Sequence, residues 1–218
     1  MIKAVIFDLD GTLIDSIDVI IELLDEILHE FGINADANKA RRLIGMSPWE
    51  IIKEVTGLET FEEQDKIVQV WAKRYMKALF AENRVNLTKG TLEVLEELKK
   101  RGLKIGIASS LKSSIIKDLI SHYKLDPFIS AFTGVDEVKK PKPAPDVFVS
   151  TAEKLGVNPK ETIVVGDALY DVLGGRAARA VTVLFRQNEE YDIEVTPDYV
   201  IKEMPQLVKI VDKLLLNH

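Results

Sequence analysis

The chain begins with an apolar run that ends abruptly at two closely spaced carboxylates. Residues Ile2 to Phe7 are apolar except for Lys3, and Asp8-Leu9-Asp10-Gly11-Thr12 follows directly. A continuous apolar run of this length, ended by Asp and Gly, predicts a strand buried on both faces, as in a parallel sheet. In open α/β sheets, ligands bind at the carboxyl ends of the strands, which is where these two carboxylates are expected to lie.

The close spacing of Asp8 and Asp10 has two interpretations. Two such carboxylates repel each other unless one is protonated or a cation lies between them. A hard divalent ion such as Mg²⁺ binds one or two carboxylates together with a substrate phosphate, and one carboxylate could then attack phosphorus while the other moves a proton. The alternative is a polar turn whose Asp side chains hydrogen-bond the backbone. This stretch alone leaves both interpretations open.

The second part of the chain alternates strands with helices. Strands are predicted at 103–108, 129–133, 161–165, 181–185 and 199–201, and helices at 88–101, 112–123, 143–155, 170–178 and 205–216. This alternation predicts an α/β fold whose core is a Rossmann-like, doubly wound parallel sheet.

The segment between the first strand and the rest of the sheet is predicted to be all helical. Apolar residues at helical spacing indicate four helices, at about 17–31, 36–43, 48–56 and 61–81. We expect Asp15 to cap the first helix, with capping boxes at 47–50 and 60–63. The expected domains are a catalytic core of residues 1–14 and 85–218 and an inserted helical cap of residues 15–84.

Charge and composition restrict the partners of the chain. The formal net charge of −6 argues against general electrostatic binding to nucleic acid or anionic lipid. The sequence contains no Cys, which excludes disulfides and thiol nucleophiles, and the scattered positions of His29, His122 and His218 argue against a histidine metal site. No segment has the pattern of a signal peptide or a membrane span. We therefore expect a cytoplasmic protein that acts on a small molecule.

Three later strand ends carry polar residues of complementary kinds. Ser109 and Ser110 offer hydroxyls and backbone N–H groups suited to phosphate oxygens. Lys142, between two prolines, offers a positive charge on a stiff segment. Asp167 and Asp171 place carboxylates four residues apart on one face of a helix start. Taken separately, each set has an ordinary structural explanation. The serines could cap a helix, the lysine could be a solvated surface residue, and the two aspartates could cap another helix.

Together, the four strand ends resemble the haloacid dehalogenase-like superfamily of phosphohydrolases. Asp8-Leu9-Asp10-Gly11-Thr12 resembles its first motif, Asp-x-Asp-Gly-Thr, and Ser109 resembles its second. Lys142, which opens a Lys-Pro-x-Pro-x-x-Phe pattern, resembles the third, and Gly166-Asp167 with Asp171 resembles the fourth. The helical insertion is similar to the C1 cap of phosphoglycolate phosphatases and β-phosphoglucomutases.

The resemblance implies a role for each motif residue. It makes Asp8 the nucleophile that forms an aspartyl-phosphate and Asp10 the general acid and base. The implied catalytic residues are Asp8, Asp10, Ser109 and Lys142. The implied Mg²⁺ ligands are Asp8, Asp10 through its main-chain carbonyl and Asp167, and the resemblance implies that Asp171 binds the ion through water or orients the site. The implied substrate-binding residues are Thr12, Gly45, Ser109, Ser110 and Lys142, with Arg41 and Arg42 as candidates that are otherwise solvated helix residues.

Two positions depart from the common family pattern. Ala168 stands where Ser or Thr is common, and Arg179 stands where many relatives have Gly. Neither position carries chemistry, so the resemblance implies a Mg²⁺-dependent phosphatase for a small phosphorylated metabolite, similar to phosphoglycolate phosphatases. A sugar-phosphate mutase similar to β-phosphoglucomutases is the nearest alternative, and a non-catalytic phosphometabolite-binding protein is a more distant one.

Overall fold

The computed structural model describes residues 1–35, 37–186 and 195–216. Within these ranges the strands are β1 (Ala4–Phe7), β2 (Lys104–Ala108), β3 (Ala131–Thr133), β4 (Thr162–Gly166), β5 (Val181–Phe185) and β6 (Tyr199–Ile201). They form one sheet in the order β3-β2-β1-β4-β5-β6, and every neighbouring pair is parallel. The predicted Rossmann-like α/β fold is confirmed.

The helices of the described ranges agree with the sequence-based prediction in number and order. They are α1 (Ile17–Glu30), α2 (Ala37–Leu43), α3 (Pro48–Thr56), α4 (Phe61–Phe80), α5 (Thr91–Lys100), α6 (Ser113–His122), α7 (Asp146–Lys154), α8 (Leu169–Ala177) and α9 (Gln206–Leu216). The predicted first residue of α2, Asp36, and the last histidine, His218, lie outside the described residues. No helix in the described part of the chain is long and apolar enough to cross a membrane.

The central strand β1 buries both of its faces, which explains its nearly continuous apolar sequence. Val5 and Phe7 belong to a core cluster shared with α5 and α9, whereas Ala4 and Ile6 belong to a second cluster shared with α7. Successive side chains of a strand point to opposite faces, so helices cover the sheet on both sides. The order of the strands reverses at β1, and the carboxyl ends at such a point form the usual ligand crevice of open α/β sheets.

The helical insertion, defined here as helices α1 to α4, lies between β1 and α5. α4 packs against α1 and α3, and α2 packs against α1 and α3. The predicted capping box of α3 is present, and the Thr60 side chain caps α4 by accepting a hydrogen bond from the Glu63 N–H. Apolar residues of the insertion belong to the same buried cluster as one face of the sheet, so the two parts pack continuously.

The structure corrects the predicted starts of several elements. Asp15 does not cap α1, because Ser16 occupies the position before the helix and its hydroxyl binds Asp10 instead. The helix predicted from residue 143 begins at Asp146, since a residue that precedes proline disfavours helical backbone and Pro145 follows Ala144. The helix predicted from residue 88 begins at Thr91, because Gly90 adopts a left-handed conformation with φ +87°. The strand predicted from residue 129 is shorter and begins at residue 131.

Candidate active site

The loop after β1 brings its backbone against a carboxylate from another strand end. Gly11 has φ +76°, a left-handed conformation that glycine adopts without steric cost. A Cβ at this position would overlap the carboxylate of Asp167, which follows β4. The Thr12 hydroxyl donates a hydrogen bond to Asp167 Oδ1 at 2.8 Å. The first and fourth motifs are therefore in direct contact.

Lys142 joins the first and fourth motifs through a buried pair of ionic hydrogen bonds. Its Nζ donates to Asp8 Oδ1 at 2.6 Å and to Asp171 Oδ1 at 2.7 Å, and the residue is only 3% exposed. Burial disfavours the ammonium, but the charges and hydrogen bonds of Asp171 and Asp8 outweigh it, so the pKa of Lys142 lies above its ordinary value. The Phe148 ring lies 5.1 Å from Nζ and completes the enclosure. This lysine is a fixed positive charge beside Asp8.

Three carboxylates at the strand ends are close enough to hold one cation. Asp8, Asp167 and Asp171 each offer an oxygen, and these oxygens lie within 4.8 Å of one another. Burial raises the pKa of Asp8 to about 7 and that of Asp167 well above its ordinary range, because so many carboxylates share a site away from water. A donor set made only of oxygen atoms matches the preference of Mg²⁺, and a divalent cation would relieve this repulsion. The residues present therefore fit Mg²⁺.

Asp171 differs from the other two carboxylates in its surroundings. Besides the Lys142 ammonium, it accepts a hydrogen bond from the Ala168 N–H to Oδ2 at 3.1 Å, and the residue is 1% exposed. Both of its oxygens therefore already have donors within the protein.

Asp10 lies at the same strand end but receives different partners. Its Oδ1 accepts hydrogen bonds from the Ser16 hydroxyl at 2.8 Å and from the Tyr75 hydroxyl. Burial raises the pKa of Asp10, and these two hydrogen bonds oppose that rise. Tyr75 belongs to α4 of the helical insertion, so this carboxylate connects the sheet with the insertion. The Lys142 ammonium, which donates a hydrogen bond to Asp8, acts on Asp10 through its charge, which also opposes the rise of the Asp10 pKa.

The serines after β2 lie at the same edge of the sheet. Ser109 is buried, its N–H donates to the Thr133 carbonyl, and its hydroxyl accepts a hydrogen bond from the Leu111 N–H. The Ser110 hydroxyl instead donates to the Gly45 carbonyl at 3.0 Å. Ser110 thus holds the loop between α2 and α3 against the sheet.

Gly45 packs against Ala168, which follows β4 and departs from the common family pattern. Its φ is +102°, and a Cβ there would lie 2.9 Å from the Ala168 Cβ and 3.1 Å from a ring carbon of Tyr170. The small side chain at position 168 and the missing one at position 45 let the two loops meet.

The second departure, Arg179, has φ +64°, a conformation in which glycine is the least strained residue.

A cavity of about 130 Å³ opens between the strand ends and the helical insertion. The polar or small residues that line it are Asp8, Asp10, Gly45, Tyr75, Ser109, Ser110, Asp167 and Ala168. The other residues that line it are apolar, namely Ile20, Ile44, Met46, Pro48, Ile51, Val68, Trp71, Ala72, Met76, Leu111 and Ile115. Most of the residues predicted from the motifs are thus brought together at this cavity or directly behind it.

The two arginine candidates are not brought to the cavity. Neither Arg41 nor Arg42 is among the described residues that line it. Arg41 pairs with Asp18 of α1 at 2.6 Å, and Arg42 is exposed. Conversely, the sequence did not single out Tyr75 or Ser16, because an apolar-face tyrosine and a loop serine have no distinguishing pattern.

A family model described as haloacid dehalogenase-like hydrolase matches residues 5–185. The chain therefore belongs to the haloacid dehalogenase-like hydrolase family, which confirms the resemblance seen in its four motifs.

The individual relatives span nearly the whole chain. The chain is 29% identical over 219 residues to a phosphoglycolate phosphatase of Aquifex aeolicus, with 99% of each chain covered. It is 28% identical over 217 residues to the pyrophosphatase PpaX of Bacillus mycoides, with 98% of each covered. A solved hydrolase structure from Pseudomonas syringae is 30% identical, with a TM-score of 0.82 and with 97% of this chain and 98% of that one covered.

Proposed function

We propose that this protein is a Mg²⁺-dependent phosphatase that hydrolyses a small phosphoric monoester through an aspartyl-phosphate on Asp8. The observation that carries the proposal is the buried Lys142 ammonium, which binds Asp8 at 2.6 Å next to the carboxylate of Asp167. Such a pair makes one carboxylate a fixed, oriented nucleophile beside positive charge, which phosphoryl transfer needs. The phosphatase proposal is supported by the hydrolase family to which the chain belongs and by relatives that are named as phosphatases.

In the first step, an Asp8 oxygen attacks phosphorus while the bond from phosphorus to the ester oxygen breaks. Asp10 gives a proton to the departing alkoxide, and its raised pKa favours holding that proton. In the second step, Asp10 takes a proton from water, which attacks phosphorus and releases phosphate from Asp8. Two displacements of moderate difficulty thus replace one difficult displacement.

The remaining polar residues bind the phosphoryl group or hold other site residues in position. Lys142 balances the negative charge on the phosphoryl group beside Asp8, and the Ser109 hydroxyl donates to a phosphoryl oxygen. Asp171 acts as a positioning residue, because its two oxygens hold the Lys142 ammonium and the Ala168 N–H. Thr12 holds Asp167 in place through its hydrogen bond.

The residues proposed to hold Mg²⁺ are Asp8 and Asp167 through their carboxylates and Asp10 through its main-chain carbonyl. When bound, the ion supplies the positive charge that lets an anionic carboxylate approach an anionic phosphate. We also propose that residues 1–14 and 85–218 form the catalytic core and that residues 15–84 form a cap over it. We propose that the apolar residues contributed by the insertion limit the access of water to the site.

Phosphate release from a panel of phosphate esters in Mg²⁺ tests the proposal. We expect turnover of at least one ester by the wild-type protein and none by Asp8→Asn. Product analysis with sugar phosphates separates hydrolysis from isomerisation, because a mutase returns the phosphoryl group to the sugar. Absence of turnover for the whole panel, in a folded protein with Mg²⁺ present, would contradict the proposed function.

A further inference from the structure

The cavity has one reactive end, which fixes the direction in which a substrate must lie. Asp8, Asp10 and Ser109 all line the end at the strand termini. If the phosphoryl group binds there, as the proposed function requires, the rest of the ester extends along the wall formed by the helical insertion. This inference therefore rests on the proposed function and concerns the chemistry of the leaving group.

Most side chains of that wall are apolar. Ile20, Ile51, Val68, Trp71 and Met76 line it from helices α1, α3 and α4. Leu111, after β2, and Ile115, of α6, also line the cavity. An alkyl or aryl group placed here would be removed from water and would contact apolar side chains.

The few side-chain donors on the wall already have partners. Trp71 Nε1 donates to the Ile20 carbonyl at 3.3 Å, and the Tyr75 hydroxyl donates to Asp10. The Ser110 hydroxyl donates to the Gly45 carbonyl. A carboxylate or second phosphate on the leaving group could accept a hydrogen bond from one of these side chains only if the existing hydrogen bond were broken.

Positive charge is also missing from the wall. Among the described residues that line the cavity, none is Lys, Arg or His. The Lys142 ammonium is held by Asp8 and Asp171 at the reactive end, and Arg41 pairs with Asp18. An anion moved from water to such a wall loses its hydration without gaining a counter-charge.

We propose that the substrate of this protein is a phosphoric monoester whose leaving group is an uncharged, mainly apolar alcohol. Phosphoglycolate and pyrophosphate, the compounds in the names of two relatives, would each place a second anionic group against this apolar wall if their phosphoryl group bound at the reactive end. We therefore expect this chain to differ from those relatives in substrate class while using the same phosphoryl chemistry.

The first test compares two matched series of esters in Mg²⁺. The first series is ethyl to pentyl phosphate, and the second contains ω-carboxyalkyl phosphates of equal chain length, together with phosphoglycolate and pyrophosphate. We expect kcat/KM to rise about fourfold per added methylene in the first series. The carboxylated partner of each ester should react roughly 10²-fold more slowly.

The outcomes distinguish this inference from the proposed function. Turnover that is equal or faster for the carboxylated esters, phosphoglycolate or pyrophosphate would overturn the inference and leave the phosphatase proposal intact. Absence of turnover for every ester would overturn both.

A second test adds a cation to the wall at a position that tolerates it. Ala72 lines the cavity but is solvent exposed on α4, so a longer side chain there does not disturb the core. Ala72→Lys should raise the ratio of kcat/KM for carboxyalkyl over alkyl phosphate by about fivefold relative to the uncharged control Ala72→Met. An unchanged ratio in a folded Ala72→Lys variant would place the leaving group away from this wall and overturn the inference.

Discussion

The Tyr75 hydroxyl donates a hydrogen bond to the Asp10 carboxylate, which links α4 of the helical insertion to the loop after β1. Tyr75 is 6% exposed, so this bond lies away from water. Because Asp10 is the proposed acid and base, the insertion touches the chemistry directly as well as covering it. The position of Asp10 therefore depends on the packing of a helix 65 residues away in the chain.

Tyr75→Phe should lower kcat for alkyl phosphates about tenfold while leaving the fold intact. The ring and its packing remain, whereas Asp10 loses a buried hydrogen bond that holds its carboxyl group in position. A buried hydrogen bond of this kind contributes about 0.5–1.5 kcal/mol. The matched control is Tyr123→Phe, which removes a hydroxyl that donates to the Val85 carbonyl instead. Steady-state kinetics with circular dichroism on both variants checks this, and equal kcat values for the two variants would refute a role for Tyr75.

Gly45→Ala should impair both stability and activity. The substitution forces a side chain into a left-handed conformation, which costs about 1–2 kcal/mol, and its Cβ meets Ala168 at 2.9 Å. Gly57→Ala is the matched control, because Gly57 has φ +75° and no atom within 4 Å of the added Cβ. Chemical denaturation should show a lower free energy of unfolding for both variants than for the wild-type protein. Kinetics should show a loss of kcat/KM only in Gly45→Ala, and comparable activity in the two would contradict the importance of this loop contact.

Arg179→Gly should raise the free energy of unfolding by about 0.5–1 kcal/mol, since relief of the left-handed strain outweighs the greater entropy of glycine in the unfolded chain. Arg179 is exposed, so little packing is lost. Arg176→Gly, at an exposed helical position in α8, should instead lower stability by about 1 kcal/mol. Urea unfolding monitored by circular dichroism measures both, and a destabilised Arg179→Gly variant would be the contrary result.

Mg²⁺ should raise the melting temperature of the wild-type protein, and exhaustive chelation should abolish turnover. Binding to the folded state alone stabilises it, and the buried carboxylates of Asp8 and Asp167 gain a counter-charge. Asp167→Asn should lose most of this thermal shift, whereas Asp118→Asn, at an exposed position of α6, should retain it. Full activity after chelation, or an equal shift in both variants, would count against the metal site.

An excess of Ca²⁺ should suppress the activity measured in Mg²⁺. Ca²⁺ accepts more oxygen ligands in a looser geometry, so it can draw the second oxygen of Asp8 into its shell and leave no free nucleophile. Competition assays at fixed Mg²⁺ check this expectation, and activity that is insensitive to Ca²⁺ would contradict it.

The sheet and the motif residues could be predicted because short-range patterns determine them. β1 and β4 are continuous apolar runs that end at Gly or Asp, and parallel pairing then places Asp8 and Asp167 at one edge. The contacts that hold Asp10 could not be predicted in this way. Tyr75 occupies an apolar helix face, and only the packing of α4 against α1 brings it to Asp10. Arg41 was a candidate from its position near the loop, but its pairing with Asp18 depends on how α2 lies against α1.

In the proposed mechanism, Asp8 carries the phosphoryl group and Asp10 moves the proton. Single-turnover kinetics with rapid acid quench, on paired alkyl and aryl phosphates, measures both steps through the trapped phosphoenzyme. Asp8→Asn should form no phosphoenzyme with either substrate. Asp10→Asn should slow its formation from the alkyl ester by about 10²–10⁴-fold. It should slow formation from the aryl ester less, because an acidic phenol leaves without a proton, and the phosphoenzyme should accumulate. Phosphoenzyme in Asp8→Asn, or equal losses on both esters in Asp10→Asn, would contradict the account.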